Sequence, residues 1–98
     1  MVQMVLIHPV RDFDDFINQF SLGGQRRAQR GIIRHSIHRA VDNPNEVMIT
    51  FEFRSREDAE NLLAADQAIQ AWLDRAGVDI YPAVFLGELV DHSSAATD

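Results

Sequence analysis

The stretch GIIRHSIHRAVDNPNEVMITFEF, residues 31–53, decides the fold. Its last part, VMITFEF, alternates: Val47, Ile49, Phe51 and Phe53 share one side, and Met48, Thr50 and Glu52 the other. A period of two is the mark of a strand with one face in a core. Before it stands Asp42-Asn43-Pro44-Asn45, a run suited to a turn, with Pro44 fixing φ. The stretch therefore reads as a β-hairpin. Its first arm is unusual, because RHSIHR brings two arginines and two histidines together. Alternation separates them. Ile33, His35, Ile37, Arg39 and Val41 take one side, and Ile32, Arg34, Ser36, His38 and Ala40 the other. His35 and His38 then point apart, so the H-x-x-H spacing cannot close on one metal ion as it could on a helix. Matching the apolar sides sets Ile33, His35 and Ile37 beside Ile49, Phe51 and Phe53. The same register puts Arg34 opposite Glu52, Ser36 opposite Thr50 and His38 opposite Met48.

Outward from the hairpin, a helix is expected on each side. Upstream, Asp12 caps a helix whose Phe13, Phe16, Ile17 and Phe20 form one face at helical spacing. Asp14 and Asp15 lie in its first turn, where the helix dipole favours negative charge. Ser21-Leu22-Gly23-Gly24 breaks it, QRRAQR resumes a turn or two, and Gly31 stops it. Downstream, Ser55 caps a helix with the apolar stripe Ala59, Leu62, Leu63, Ile69, Trp72, Leu73 and Ala76. Asp66 marks a bend or second start within it, and Gly77 its end. Residues 2–8, VQMVLIH, give a first strand ended by Pro9, and residues 80–90, IYPAVFLGELV, a last one. The order β-α-β-β-α-β is the ferredoxin-like α+β arrangement: a four-stranded antiparallel sheet with both helices on one face. Residues 1–91 are read as one such domain and residues 92–98 as a disordered polar tail. The first and last strands are apolar at nearly every position, whereas a sheet with one face in water should alternate. A second copy is therefore expected to cover the open sheet face, as a homodimer.

Composition narrows the function. The chain has 98 residues, no cysteine and a net charge of -6. The lack of cysteine removes disulfides, thiolate nucleophiles and Cys-based metal sites. The acidic balance argues against a nucleic-acid partner. No stretch reaches the roughly 18 apolar residues of a membrane span, and MVQMVLIHPV lacks the basic start of a signal peptide. A soluble, cytoplasmic protein without a membrane partner is expected. All nine basic residues are arginine, and five of them, Arg26, Arg27, Arg30, Arg34 and Arg39, fall within fourteen residues. That patch could hold an anionic ligand, face solvent or meet a subunit.

No phosphate loop, dinucleotide fingerprint, nucleophile elbow or H-E-x-x-H motif occurs. The candidates are single residues. His35, placed on the helix side among apolar groups, would be held neutral by burial and could act as a base, or be a core histidine bonded to backbone. Arg39, on the same side, would hold an anionic group or snorkel to solvent. Trp72 would wall a pocket or pack the core. Tyr81 would orient a ligand oxygen or cap a strand end. His8 would line the cavity mouth, and Asn18 sits at the edge of the first helix's apolar face.

The segments VRDFDDFINQF, RRAQRGIIRHSIHRAVDNPNEVMITFEFRSREDAENLL and AWLDRAGV together resemble the dimeric α+β barrel superfamily. That superfamily includes the antibiotic-biosynthesis monooxygenases and small actinobacterial cyclase-like proteins. The resemblance spans most of residues 9–78 and is most specific from Gly31 to Leu63. It implies a ligand cavity between sheet and helices, lined by His35, Phe51, Phe53, Trp72 and Tyr81. It also implies a cofactor-free monooxygenase or cyclase acting on a hydrophobic, aromatic or polyketide-like molecule. In that scheme His35 is the base, Arg39 or Tyr81 the oxyanion partner, and Phe51, Phe53 and Trp72 the walls. No cofactor and no metal ligand set is expected. Haem degradation is not expected, since the first strand has no Asn and no His stands just after Trp72. A non-catalytic ligand-binding or stress-response module of the same fold is the alternative.

Overall fold

Hydrophobic period and capping residues set the elements. A computed structural model describes residues 1–94. It contains β1 (Val2–Pro9), α1 (Phe13–Ser21), α2 (Gly24–Gln29), β2 (Ile32–Ala40), β3 (Asn43–Phe53), α3 (Arg56–Ala64), α4 (Asp66–Ala76) and β4 (Ala83–Glu88). The four strands form one antiparallel sheet in the order β2-β3-β1-β4. This is the ferredoxin-like α+β fold. Residues 95–98 of the expected tail lie outside the described residues.

The helices begin where the side chains dictate. The Asp12 carboxylate accepts from the Asp15 N–H at 3.0 Å, and the Ser55 hydroxyl from the Asp58 N–H at 3.1 Å. Each satisfies a backbone donor that the first turn leaves unpaired. The long downstream helix divides at Ala65, with α4 starting at Asp66. Two glycines close helices in the left-handed region, Gly31 at φ 87° and Gly77 at φ 79°. At Gly31 a Cβ would also collide with the Asp58 carboxylate, so the α2-β2 corner admits no side chain.

Strand register decides which face each side chain takes. His35 stands opposite Phe51, Ile37 opposite Ile49, Arg34 opposite Glu52, Ser36 opposite Thr50 and His38 opposite Met48, as the hairpin pattern predicts. Arg34 and Glu52 are paired at 3.0 Å, and the Ser36 and Thr50 hydroxyls bond to each other. One pairing differs. The register shifts between Ile32 and Arg34, so Ile32 and not Ile33 faces Phe53. The bulge turns Ile32 under the helices and leaves Ile33 exposed. The reversal also comes earlier than expected, at Val41-Asp42, and Asn43 already pairs with Ala40. The Asn43 side chain accepts from the Asn45 N–H at 3.0 Å, a local turn that orders the strand start ahead of the run of pairs. β4 is shorter than residues 80–90: it starts at Ala83, after Pro82, which has no N–H to give the ladder, and it ends at Glu88.

The core lies between sheet and helices. Met4, Val47, Ile49 and Phe53 from the sheet meet Phe16, Phe20, Ala59, Leu73 and Ala76 from the helices. The opposite face has no helix. Across it run Thr50, Val5 and Phe85 in one row and Met48, Ile7 and Ala83 in the next. Phe85 is 68% exposed there, its ring lying over Gly87.

Candidate functional site

Where α1 gives way to α2, the helical layer parts from the sheet. The gap is a half-open cleft of about 560 Å³. Its floor is Leu6, Phe51 and Val84 from the sheet, and Ile32 joins them because of the bulge. Its walls are Phe20 from α1, Leu62 and Leu63 from α3, and Ile69 and Trp72 from α4. Arg26, Arg27, Arg30, Arg75 and Tyr81 border it. The size lies within the roughly 300–1,000 Å³ of small-molecule sites, and so does the mix of apolar wall and few polar groups.

The aromatic wall is ordered. Trp72 meets Phe16 and Phe20 edge-on, at ring separations of 6.0 and 6.1 Å. Phe20 stacks on Phe51 at 6.2 Å, within 9° of parallel. Such contacts hold ring orientation beyond what area burial alone gives. Arg27 pins the corner: its guanidinium carbon lies 3.8 Å from the Phe20 ring centre, and Nη1 donates to the Phe20 carbonyl at 2.6 Å. Burial holds the Arg27 guanidinium below its ordinary pKa.

The expected site residues do not converge. Phe51, Trp72 and Tyr81 line the cleft, and Tyr81 is 49% exposed at its edge. Phe53 lies beneath in the core, edge-on to Phe51 at 6.3 Å. His35 is not covered by the helices: it is exposed, touches Phe20 at 5.0 Å, and borders a smaller hollow of about 170 Å³ with Arg27, Ile32 and Arg34. β2 is an edge strand, and the short α2 reaches only part of its helix side. Partial burial lowers the His35 pKa, and the Arg27 charge adds to this. Arg39 lies over the Phe13 ring at 4.6 Å, away from the cleft. His8 does not line the mouth. It is 2% exposed, packed edge-on to Phe16, with Nδ1 3.1 Å from the Pro9 carbonyl and Nε2 without a partner. Asn18 is exposed on α1. Sequence pattern alone did not find Phe20, Ile69 or Arg75 as lining. The arginine cluster of α2 was its one visible signal, with nothing local to say that it faces a cleft.

An α+β sheet with an apolar cleft under its helices defines a class of small ligand-binding and catalytic folds. The family model of the antibiotic biosynthesis monooxygenases matches residues 9–78, and the chain belongs to that family. No curated protein matches. Among solved structures, a Bordetella bronchiseptica protein carrying that family's name is 15% identical with a TM-score of 0.75, over 91% of this chain and 96% of that one. A mutant of SnoaB, a cofactor-independent oxygenase from Streptomyces nogalater, is 19% identical with a TM-score of 0.73, over 93% of this chain and 94% of that one. A Nitrosomonas europaea protein of the same family name is 14% identical with a TM-score of 0.69. At these identities the likeness establishes a shared fold. Among the described residues, no helix is long and apolar enough to cross a membrane.

Proposed function

We propose that the cleft binds a hydrophobic, aromatic or polyketide-like molecule, and that the protein oxidises it with dioxygen and no cofactor. The observation that carries this reading is the cleft itself: apolar floor and walls, ordered aromatic rings, and one phenolic hydroxyl, Tyr81, at the edge. Family membership supports it. The electrons come from the ligand. An anthrone-type ring gives a proton to water at the open edge of the cleft, its carbanion bonds to dioxygen as a peroxide that takes a proton back, and the O–O bond breaks as water leaves and the new carbonyl forms. One anthrone and one dioxygen give one anthraquinone and one water. The protein's part is to hold the ring in a dry cleft and steady the oxygen on which charge gathers. Tyr81 is the group placed for the second task, donating its O–H to that oxygen. Phe51 and Trp72 clamp the ring. In this reading His35 and Arg39, outside the cleft, take no part in the chemistry.

Oxygen uptake with anthrone as substrate tests the proposal. Turnover is expected, with Tyr81→Phe lowering kcat about tenfold, as for one lost hydrogen bond to a charged oxygen. A second reading is a non-catalytic binding module, and one observation favours it: among the described residues, no histidine or carboxylate lines the cleft. Binding of anthrone without oxygen uptake would decide for that reading.

We also propose a homodimer through the open sheet face, where Phe85 and Ile7 are exposed. Mass in solution checks it. The cytoplasm is the location this reading assigns, to be checked by cell fractionation.

A further inference from the structure

Arginines in this chain divide into two groups. Arg11, Arg34, Arg54 and Arg56 each have a carboxylate within 4 Å. The other five have none among the described residues, and four of those, Arg26, Arg27, Arg30 and Arg75, line the cleft. Among the described residues no Asp or Glu lines that cleft, although the chain has fifteen. Arg27 is committed to Phe20, but the side chains of Arg26, Arg30 and Arg75 make no hydrogen bond among the described residues. Arg26 and Arg30 stand four residues apart, a spacing that puts two side chains on the same side of a helical turn. Cations gathered beside an apolar wall, with no carboxylate among them, give that border a positive potential that favours an anion.

We propose that the ligand of the cleft is an amphiphilic acid, an apolar ring body whose anionic oxygen group is held by Arg26 and Arg30 with Arg75 near it. The body fills the space between Phe51, Trp72 and Ile69, and the charged end stays at the arginine-lined border. Guanidinium groups suit this task, since each offers paired donors to two oxygens of one anion. This assignment rests on the reading of the cleft as a ligand site and names the ligand's chemistry.

Two probes with one ring body separate the claims. N-phenyl-1-naphthylamine is neutral, and 8-anilinonaphthalene-1-sulfonate carries an anionic group on the same skeleton. Binding is read as energy transfer from Trp72, the chain's one tryptophan, which lies in the cleft wall. Both probes are expected to bind. Arg26→Gln with Arg30→Gln should weaken the sulfonate about tenfold, as for a lost charge-assisted bond, and leave the neutral probe within about twofold. Added salt should weaken only the sulfonate. Arg75→Gln should act in the same direction. These arginines are exposed and unpaired, so the variants are expected to fold. Equal affinities of wild type and variant for the sulfonate, with both probes bound, would overturn the anion assignment and leave the cleft reading standing. No energy transfer with either probe would overturn both.

Discussion

His8 is the buried polar side chain of the core, and its environment makes a pH effect. Burial lowers its pKa from the ordinary 6.5, opposed in part by the bond to the Pro9 carbonyl. Between the lowered value and 6.5 the unfolded chain therefore binds more protons than the folded one. Stability is fully present above about pH 6.5 and falls as pH drops through the folded value. His35 is shifted in the same direction, but it is exposed and its share is smaller. Denaturant melts at pH 5 and pH 7.5 measure this. The wild type should lose stability at the lower pH, and His8→Phe, which removes the unpartnered Nε2 beside Phe16, should lose less. Equal losses in the two proteins would contradict the assignment. The sequence marked His8 as a strand end beside Pro9 and a candidate for the cavity mouth. That it faces inward follows from the pairing of β1 with β3, where His8 meets Val47. Local pattern cannot supply that.

At the scale of elements, the hairpin explains what could be read and what could not. Alternation in β3 was unambiguous because its apolar side is buried at every second residue from Val47 to Phe53. Once that face is set, the partners of His35, Ser36 and His38 follow. The bulge at Ile33 was not legible, since Ile32 and Ile33 are equally apolar and either could face inward. The early reversal at Val41-Asp42 was missed for a similar reason: Asn43 and Pro44 favour turns, yet the strand begins through them. The first and last strands gave a further signal, apolar residues on both faces. Its physical result is the open sheet face with Phe85 exposed. An exposed phenylalanine amid Val5, Ile7 and Met48 gains by burial roughly what other aromatic side chains gain, about 2–3 kcal/mol. Light scattering at micromolar concentration should give a dimer mass for the wild type. Phe85→Glu, which would bury a charge at that contact, should give a monomer with the fold intact. A monomeric wild type would remove the dimer.

For the whole molecule, the fold was legible and the site only in part. Fold class follows from element order, and element order from periods, caps and breakers, all of which are local. A cleft is not local. It exists because all four helices meet over the sheet, and its lining is drawn from every helix and every strand. Trp72 and Tyr81 could be suspected from their chemistry. Phe20 and the α2 arginines could not be placed beside them without the packing. His35, the most suggestive residue on paper, stands on an edge strand outside the cleft. The central claim is that this cleft is where a ligand sits. Ala68 of α4 lines it and is exposed, so Ala68→Phe fills space without disturbing the core. The most direct measurement is the Kd of N-phenyl-1-naphthylamine for wild type and Ala68→Phe, by energy transfer from Trp72. The account predicts saturable binding at one probe per chain, weakened about tenfold or more by the filled cleft, as for steric overlap costing over 1 kcal/mol. An unchanged Kd in Ala68→Phe would contradict it.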